Sequence, residues 1–428
     1  MRKICFLTLL IITFNLNAQK IFTNKSDIFY QIAPLYDFKQ SVVNLTFDDG
    51  FDIQFTVGIP MLKKRNLPAT FYVITDRVDS VAKSVIFHNL TKDFEIGSHT
   101  VTHPNLIKIG NDEAIKELVN SKLYLEQYFG VNAGLTMSYP WGLYDISIEK
   151  IVKNNYLAAR STAEGYNSIF TADRFALKMQ SFNDKTKAST ANSWIDFAIK
   201  NQLWLVEMLH GINNIGFSPI DSSVLAEHLD YIKNVDDKIW CSTVCNVIKY
   251  IDESKNAKIE CEVCNDTVFK IRVNDFMDDS IYNQPLSLKI KVPDNWDSIW
   301  ISNATQVKTE YYNTNKFILF NALPDNQLIT IKPGLVSDVE INHGIRLVYL
   351  SSNPFFDNIR LTLEAFDQCD VDIALYDMNG RSVIHQKEKN LQGLIDLFFD
   401  TSGIGKGIYI LRLNSNDGYL IIKKLIKI

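Results

Sequence analysis

The stretch SVVNLTFDDG, Ser41 to Gly50, ends an apolar, β-branched run on two adjacent carboxylates and a glycine. Val42, Val43, Leu45 and Phe47 make it apolar on both faces, the pattern of a strand buried in a parallel sheet. Charges at the end of such a strand emerge at the carboxyl edge of the sheet, where α/β folds keep their active sites. Neighbouring like charges disfavour each other's ionisation unless a cation or a proton intervenes. Asp48 and Asp49 therefore read either as a metal ligand beside a base or as a solvated Asp-Gly turn.

Outward from this strand, residues 41–254 alternate short apolar strands with amphipathic helical stretches. ATFYVIT, FEIGSH, LTMSYP, AARST, RFALKMQSF, LWLVEMLH and IWCSTV read as strands. The long segment DEAIKELVNSKLYLEQYF keeps helical spacing through Ile115, Leu118, Val119, Leu123 and Leu125. Repeated β-α units imply a parallel sheet covered by helices, and their number suggests a barrel. From 255 to 335 helical periodicity gives way to alternating segments such as LSLKIKV and KFILFNA, an antiparallel β module. A further all-β set occupies 336–428. The expected architecture is a distorted (β/α) barrel followed by two small sandwich-like β modules, within the reach of a 428-residue chain.

The start of the chain has a basic pair, Arg2 and Lys3, an apolar core from Ile4 to Phe14, and Ala18 before Gln19. We read residues 1–18 as a signal peptide, its core too short for a membrane anchor, and 19–40 as an N-terminal segment. No later segment is long and apolar enough to span a bilayer as a helix. A net charge of −5 without a basic patch argues against nucleic acid as a partner. Export makes disulfides the expected state of Cys241, Cys245, Cys261 and Cys264, linking one domain's end to the start of the next, although the spacing also suits a four-thiolate zinc site.

His99 and His103 in EIGSHTVTH follow another strand, so they fall on the same barrel face as the Asp48–Asp49 pair. Two imidazoles and one carboxylate make a catalytic zinc site with a position open for water, leaving the second carboxylate as a base. His210 ends the strand LWLVEMLH on the same face and is a candidate general acid. Leu209 and Trp194 are expected to shape a small acyl pocket. In SYPWGLYD, Pro140 stiffens a turn and Gly142 permits a positive φ, so backbone N–H groups there can form an oxyanion hole.

TFDDG, SHTVTH, YPWG and MLHG, in this order at strand ends, resemble the polysaccharide deacetylase family, also called the NodB-homology domain or carbohydrate esterase family 4. The resemblance covers 41–254 and implies a divalent metal, usually zinc, with cobalt, nickel or manganese as substitutes. It implies Asp49, His99 and His103 as ligands, Asp48 as general base, His210 as general acid and the backbone N–H of Trp141 as oxyanion donor. Tyr139 and Pro140 of the same motif join Trp194 and Leu209 as expected substrate contacts. The implied reaction is hydrolysis of an N-acetyl group on an amino-sugar polysaccharide. Many members carry an arginine where this chain has Ser138; Arg160 is the candidate substitute, and Arg174 a second.

The last segment has an Asn-Pro-Phe opening at Asn353, a Tyr-Asp-x-x-Gly-Arg turn from Tyr376, a Gly-Ile-Tyr strand and a basic tail. It resembles type IX secretion sorting domains, which implies the type IX machinery as partner and a secreted or surface protein of a Gram-negative cell. Two other readings compete with the deacetylase: an O-acetyl esterase on a xylan-like polymer, and an inactive glycan-binding or adhesion protein on the same barrel. No Gly-x-Ser-x-Gly elbow supports a serine hydrolase.

Overall fold

All nine residues of Ser41–Asp49 (β1) are buried in the computed structural model, as a strand covered on both faces requires. The structure describes residues 29–78, 94–334, 345–350, 354–416 and 420–428; the expected signal peptide and Asn353 lie outside them. Val43, Leu45 and Phe47 pack with Phe55, Ile59, Leu225 and Leu229 on the helix side of the sheet. Asn44, Thr46 and Asp48 alternate to the other side, inside the barrel. Two of these inner groups bond backbone carbonyls: Asn44 Nδ2 donates to that of Ser242 at 2.7 Å, and Thr46 Oγ1 to that of Glu207 at 2.7 Å.

From β1 the parallel sheet runs through Ala69–Val73 (β2), Phe94–Ser98 (β3), Thr136–Ser138 (β4), Ala158–Glu164 (β5), Leu177–Ser181 (β6) and Leu203–Leu209 (β7). β7 then pairs with β1, Val42 beside Trp204 and Phe47 beside Leu209, which closes a barrel of seven strands. A short strand, Ile239–Cys241 (β8), pairs in parallel with the first residues of β1. Three of the helices start on side-chain caps: Asp145 accepts from the Ile148 N–H, Asp221 from Ser223 and Thr243 from Asn246. The expected helix after β1 opens with a wide π-turn, Gln54–Gly58, before Ile59–Lys63. Gln54 Nε2 donates to the carbonyls of Asp48 at 2.6 Å and His210 at 2.8 Å, tying the ends of β1 and β7 together at this turn.

The β segment after the barrel forms two four-stranded sheets. Lys258–Cys264, Phe269–Asn274, Asp325–Pro333 and Ile299–Ile301 make one; Leu286–Val292, Asn315–Ala322 and Thr305–Tyr312 make the other with Tyr30–Ile32 from the N-terminal segment. Its core is continuous with that of the barrel: Val42, Trp204, Val247 and Tyr250 belong to the same buried cluster as Ile271, Leu288 and Phe320. One compact unit accordingly ends at Gly334. A second unit contains five antiparallel strands with its own core of Ile359, Leu361, Leu363, Val371, Leu411 and Leu413.

The cysteines depart from expectation. Among the described residues the disulfide joins Cys261 to Cys264 inside one bulged strand, and it links no two domains. Cys241 and Cys245 remain thiols, so the four sulfurs do not converge on a zinc site. Cys245 is buried at a helix start where its N–H donates to Glu95 at 2.9 Å. No helix among the described residues is long and apolar enough to cross a membrane.

Candidate active site

The carboxyl ends of β1, β3, β4, β5 and β7 converge on one group of polar side chains. Ligand atoms of Asp49, His99 and His103 all lie within 4.8 Å of one another. His99 Nε2 is 3.8 Å and His103 Nε2 3.9 Å from Asp49 Oδ1. His99 Nδ1 donates to the Ser138 carbonyl at 2.8 Å, which leaves Nε2 with its lone pair toward the carboxylate. Burial lowers the His99 imidazole to about 3, so the ring is neutral at ordinary pH, as a ligand must be. Burial and the Asp48 carboxylate both raise Asp49, the strain of two carboxylates placed side by side, and a divalent cation relieves it. The donor set of two imidazoles and a carboxylate fits zinc, and the buried Asp48 Oδ1 has no hydrogen-bond partner beside it.

The loop that carries the histidines is held from below. Glu117 Oε2 accepts the backbone N–H groups of Val101 at 2.9 Å and Thr102 at 2.8 Å, and Thr100 Oγ1 accepts that of His103 at 3.1 Å. Asp49, Thr100, His103 and Trp141 adopt positive φ of 75°, 66°, 64° and 59°. Each costs a non-glycine residue on the order of 1 kcal/mol, and such outliers concentrate at functional sites.

Asp48 lies beside the Asp49, His99 and His103 group. Its Oδ2 accepts from Arg160 Nη2 and sits 3.8 Å from His210 Nε2 and 3.9 Å from His99 Nε2. Burial raises its pKa, but Arg160, His99 and His210 together outweigh that and hold the carboxyl below its ordinary value. Arg160 is itself fully buried, with Nη1 donating to the Ser161 carbonyl at 3.0 Å and its guanidinium 5.8 Å from the Tyr72 ring. Tyr72 can lie there because residue 97 is glycine: a Cβ at Gly97 would stand 2.5 Å from the ring.

Trp141 stands on the rim, largely exposed, its ring 5.1 Å from that of His103. The next two N–H groups of its turn bond the carbonyls of Tyr139 and Pro140, and that of Trp141 stays outside this ladder. Other expected substrate contacts are placed elsewhere. Tyr139 is buried in a separate core, stacked on Tyr144 at 4.2 Å, and Pro140 is buried beneath the turn. Strand alternation turns Leu209 to the helix side with Phe47, while Met208 points inward to Arg160. Trp194 packs on that same helix-side core, edge-on to Phe182 at 6.2 Å. Arg174 pairs with Asp252, away from Asp48. Sequence reasoning did not find Gln54, Glu117, Tyr72 or the exposed Phe217, whose ring is 5.2 Å from that of His210. None lies in a motif, and only Phe217, an aromatic seven residues past His210 in a Gly- and Asn-rich turn, left any trace in the sequence.

Residues 36–159 match the family model described as polysaccharide deacetylase, and residues 352–428 match the secretion system C-terminal sorting domain. A gellan lyase from a Bacillus species is 25% identical over 346 residues, 73% of this chain and 14% of that protein. A bifunctional xylanase/deacetylase of Pseudobutyrivibrio xylanivorans is 24% identical over 215 residues, 47% of this chain and 33% of that one. A peptidoglycan-N-acetylglucosamine deacetylase of Bacillus cereus is 32% identical over 94 residues, 22% of this chain and 34% of that one. The chain thus spans about a third or less of these relatives' own lengths.

Proposed function

With a polysaccharide deacetylase match over the first part of its barrel and a sorting-domain match at its end, we propose that the chain is an exported, metal-dependent hydrolase. Its substrate in this reading is an N-acetylated amino-sugar polysaccharide. The observation that carries the reading is the placement of a buried, arginine-paired Asp48 beside the Asp49, His99 and His103 group.

Asp49, His99 and His103 would hold the divalent ion, zinc by donor type. Bound there, such an ion supplies Lewis acidity to the acyl carbonyl and acidifies the attacking water. Asp48, kept ionised by Arg160, takes the proton that the water loses as its oxygen bonds to the acyl carbon. The Trp141 N–H donates to the acyl oxygen as negative charge develops on it. His210 delivers a proton to the leaving nitrogen as the C–N bond breaks, giving acetate and a free sugar amine. The C-terminal sorting domain implies passage by the type IX route of a Gram-negative cell, with the signal peptide serving the inner membrane.

The test is acetate release by the mature protein, metal-stripped and then reconstituted with zinc or cobalt. The substrates are N-acetylglucosamine oligomers, peptidoglycan and acetylated xylan. Metal-dependent release from either amide substrate supports the proposal. Release from xylan alone moves the reaction to an ester, and none from any substrate by metal-loaded protein overturns it in favour of a binding protein.

A further inference from the structure

Phe217 is 65% exposed, yet the backbone that presents it is locked. In the loop after His210, the Gly211 N–H donates to the Phe217 carbonyl at 3.1 Å, Ile212 to Ile215 at 3.1 Å, Ile220 to Gly211 at 3.0 Å and Asn213 to Ile220 at 2.9 Å. Asn213, Asn214, Gly216 and Ser218 all hold positive φ, and a Cβ at Gly216 would stand 2.7 Å from the Phe51 ring. The loop is thereby folded down onto the turn that follows Asp48 and Asp49. These bonds fix where the ring stands, and its place beside the reacting groups, rather than its exposure alone, distinguishes it from other exposed rings.

Continuity with the reacting groups identifies the occupant. Phe217 packs edge-on against His210 at 5.2 Å, and His210 Nε2 is 3.8 Å from Asp48; Trp141 packs on His103 at the opposite end of the group. The reacting centre is therefore bounded by an exposed aromatic ring at the acid-histidine end as well as by Trp141. Pyranose rings present a C–H-rich face that suits an aromatic surface, while their hydroxyls remain in water at the rim.

We propose that Phe217 is a stacking platform for the sugar ring next to the one that carries the acetyl group, so that the site grips a polymer beyond its reacting unit. This rests on the deacetylase reading above and adds a length preference that the reaction itself does not require. Phe217 makes no bond to the reacting atoms and acts on affinity for the chain.

The test uses the zinc-loaded full chain carrying Asp48→Asn, titrated calorimetrically with the N-acetylglucosamine hexamer and monosaccharide. The hexamer should bind at least tenfold more tightly. Phe217→Ala in the same background should weaken the hexamer about tenfold, the scale of uncovering part of a phenyl ring, and narrow the gap to the monosaccharide. Phe217→Trp should restore the preference, which a merely misfolded loop would not allow. Equal hexamer affinity with and without the ring, or equal losses for both sugars, overturns the platform. If the unmutated chain releases acetate from oligomers but shows no length preference, only the platform falls; if it neither releases acetate nor binds the hexamer, the deacetylase reading falls with it.

Discussion

Arg160 on β5 donates from Nη2 to Asp48 Oδ2 on β1, across the interior of the barrel and 112 positions apart in the chain. Both side chains are withdrawn from water, Arg160 at 0% and Asp48 at 2% exposure, so each is the other's main counter-charge. A buried pair of this kind is costly to break from one side, because the charge left behind has no solvent to turn to.

Arg160→Met leaves Asp48 buried without its cation, and burial then drives the carboxyl upward. The acid limb of the kcat/KM profile for acetate release should move to higher pH, and the value at neutral pH should fall about a hundredfold, the lower end of general-base contributions. An unshifted limb would show that Arg160 does not control the ionisation of Asp48.

Asp48→Asn and His99→Ala should separate two roles. The first keeps the ligand set and should lower turnover by about 10² to 10⁴ while zinc content stays near one per chain. The second should lose zinc as well as activity. Metal analysis beside an activity assay decides it: full zinc in His99→Ala removes this histidine from the ligand set.

Gly97→Ala places a methyl group 2.5 Å from carbons of the Tyr72 ring and 2.9 Å from the Thr136 carbonyl oxygen. The ring is enclosed by the sheet, so the overpacking should cost about 1 to 3 kcal/mol in urea unfolding. Because Tyr72 faces the Arg160 guanidinium, activity should fall along with stability. An unchanged unfolding midpoint would mean that the barrel interior has room the structure does not show.

Glu253, in the helix Val244–Asn256, accepts the Gln284 N–H at 2.8 Å where the barrel meets the β segment. Burial is the main cause that lifts its carboxyl to about 8 from an ordinary value of 4.5. Between these two values the folded chain keeps a proton that the unfolded chain has lost. Its contribution to stability is therefore complete below the lower value and declines as pH rises toward the upper one. Glu253→Gln should flatten the fall in thermal stability between pH 5 and about 8. Parallel curves for the two proteins across that range would exclude the group.

Much of this molecule is readable along the chain. The doubly apolar run before Asp48, the strand endings at His99 and His210 and the turn at Trp141 each state a local rule: a buried parallel strand delivers its next residues to one edge of the sheet. Three such endings bring Asp48, Asp49, His99, His103 and His210 together without knowledge of any contact, and a fourth brings Trp141. Facing, by contrast, was not legible for Leu209, because a strand's two faces differ by one residue and both faces of Leu203–Leu209 are largely apolar.

What only the tertiary structure decided is everything that depends on closure of the barrel. Arg160 and Arg174 were both candidates from the sequence; closure of the barrel chose between them, because strand alternation turns Arg160 and Asp48 into the same interior while Arg174 pairs with Asp252. The N-terminal strand Tyr30–Ile32 pairs with Leu286–Val292, and the barrel and β segment share one core. These are contacts between stretches hundreds of residues apart, whose free energy exists only once the chain is packed. The sequence determined which chemistry stands at the strand ends, since that follows from local pattern; packing determined which charges pair and which aromatic ring is held out to the solvent, since those follow from distance.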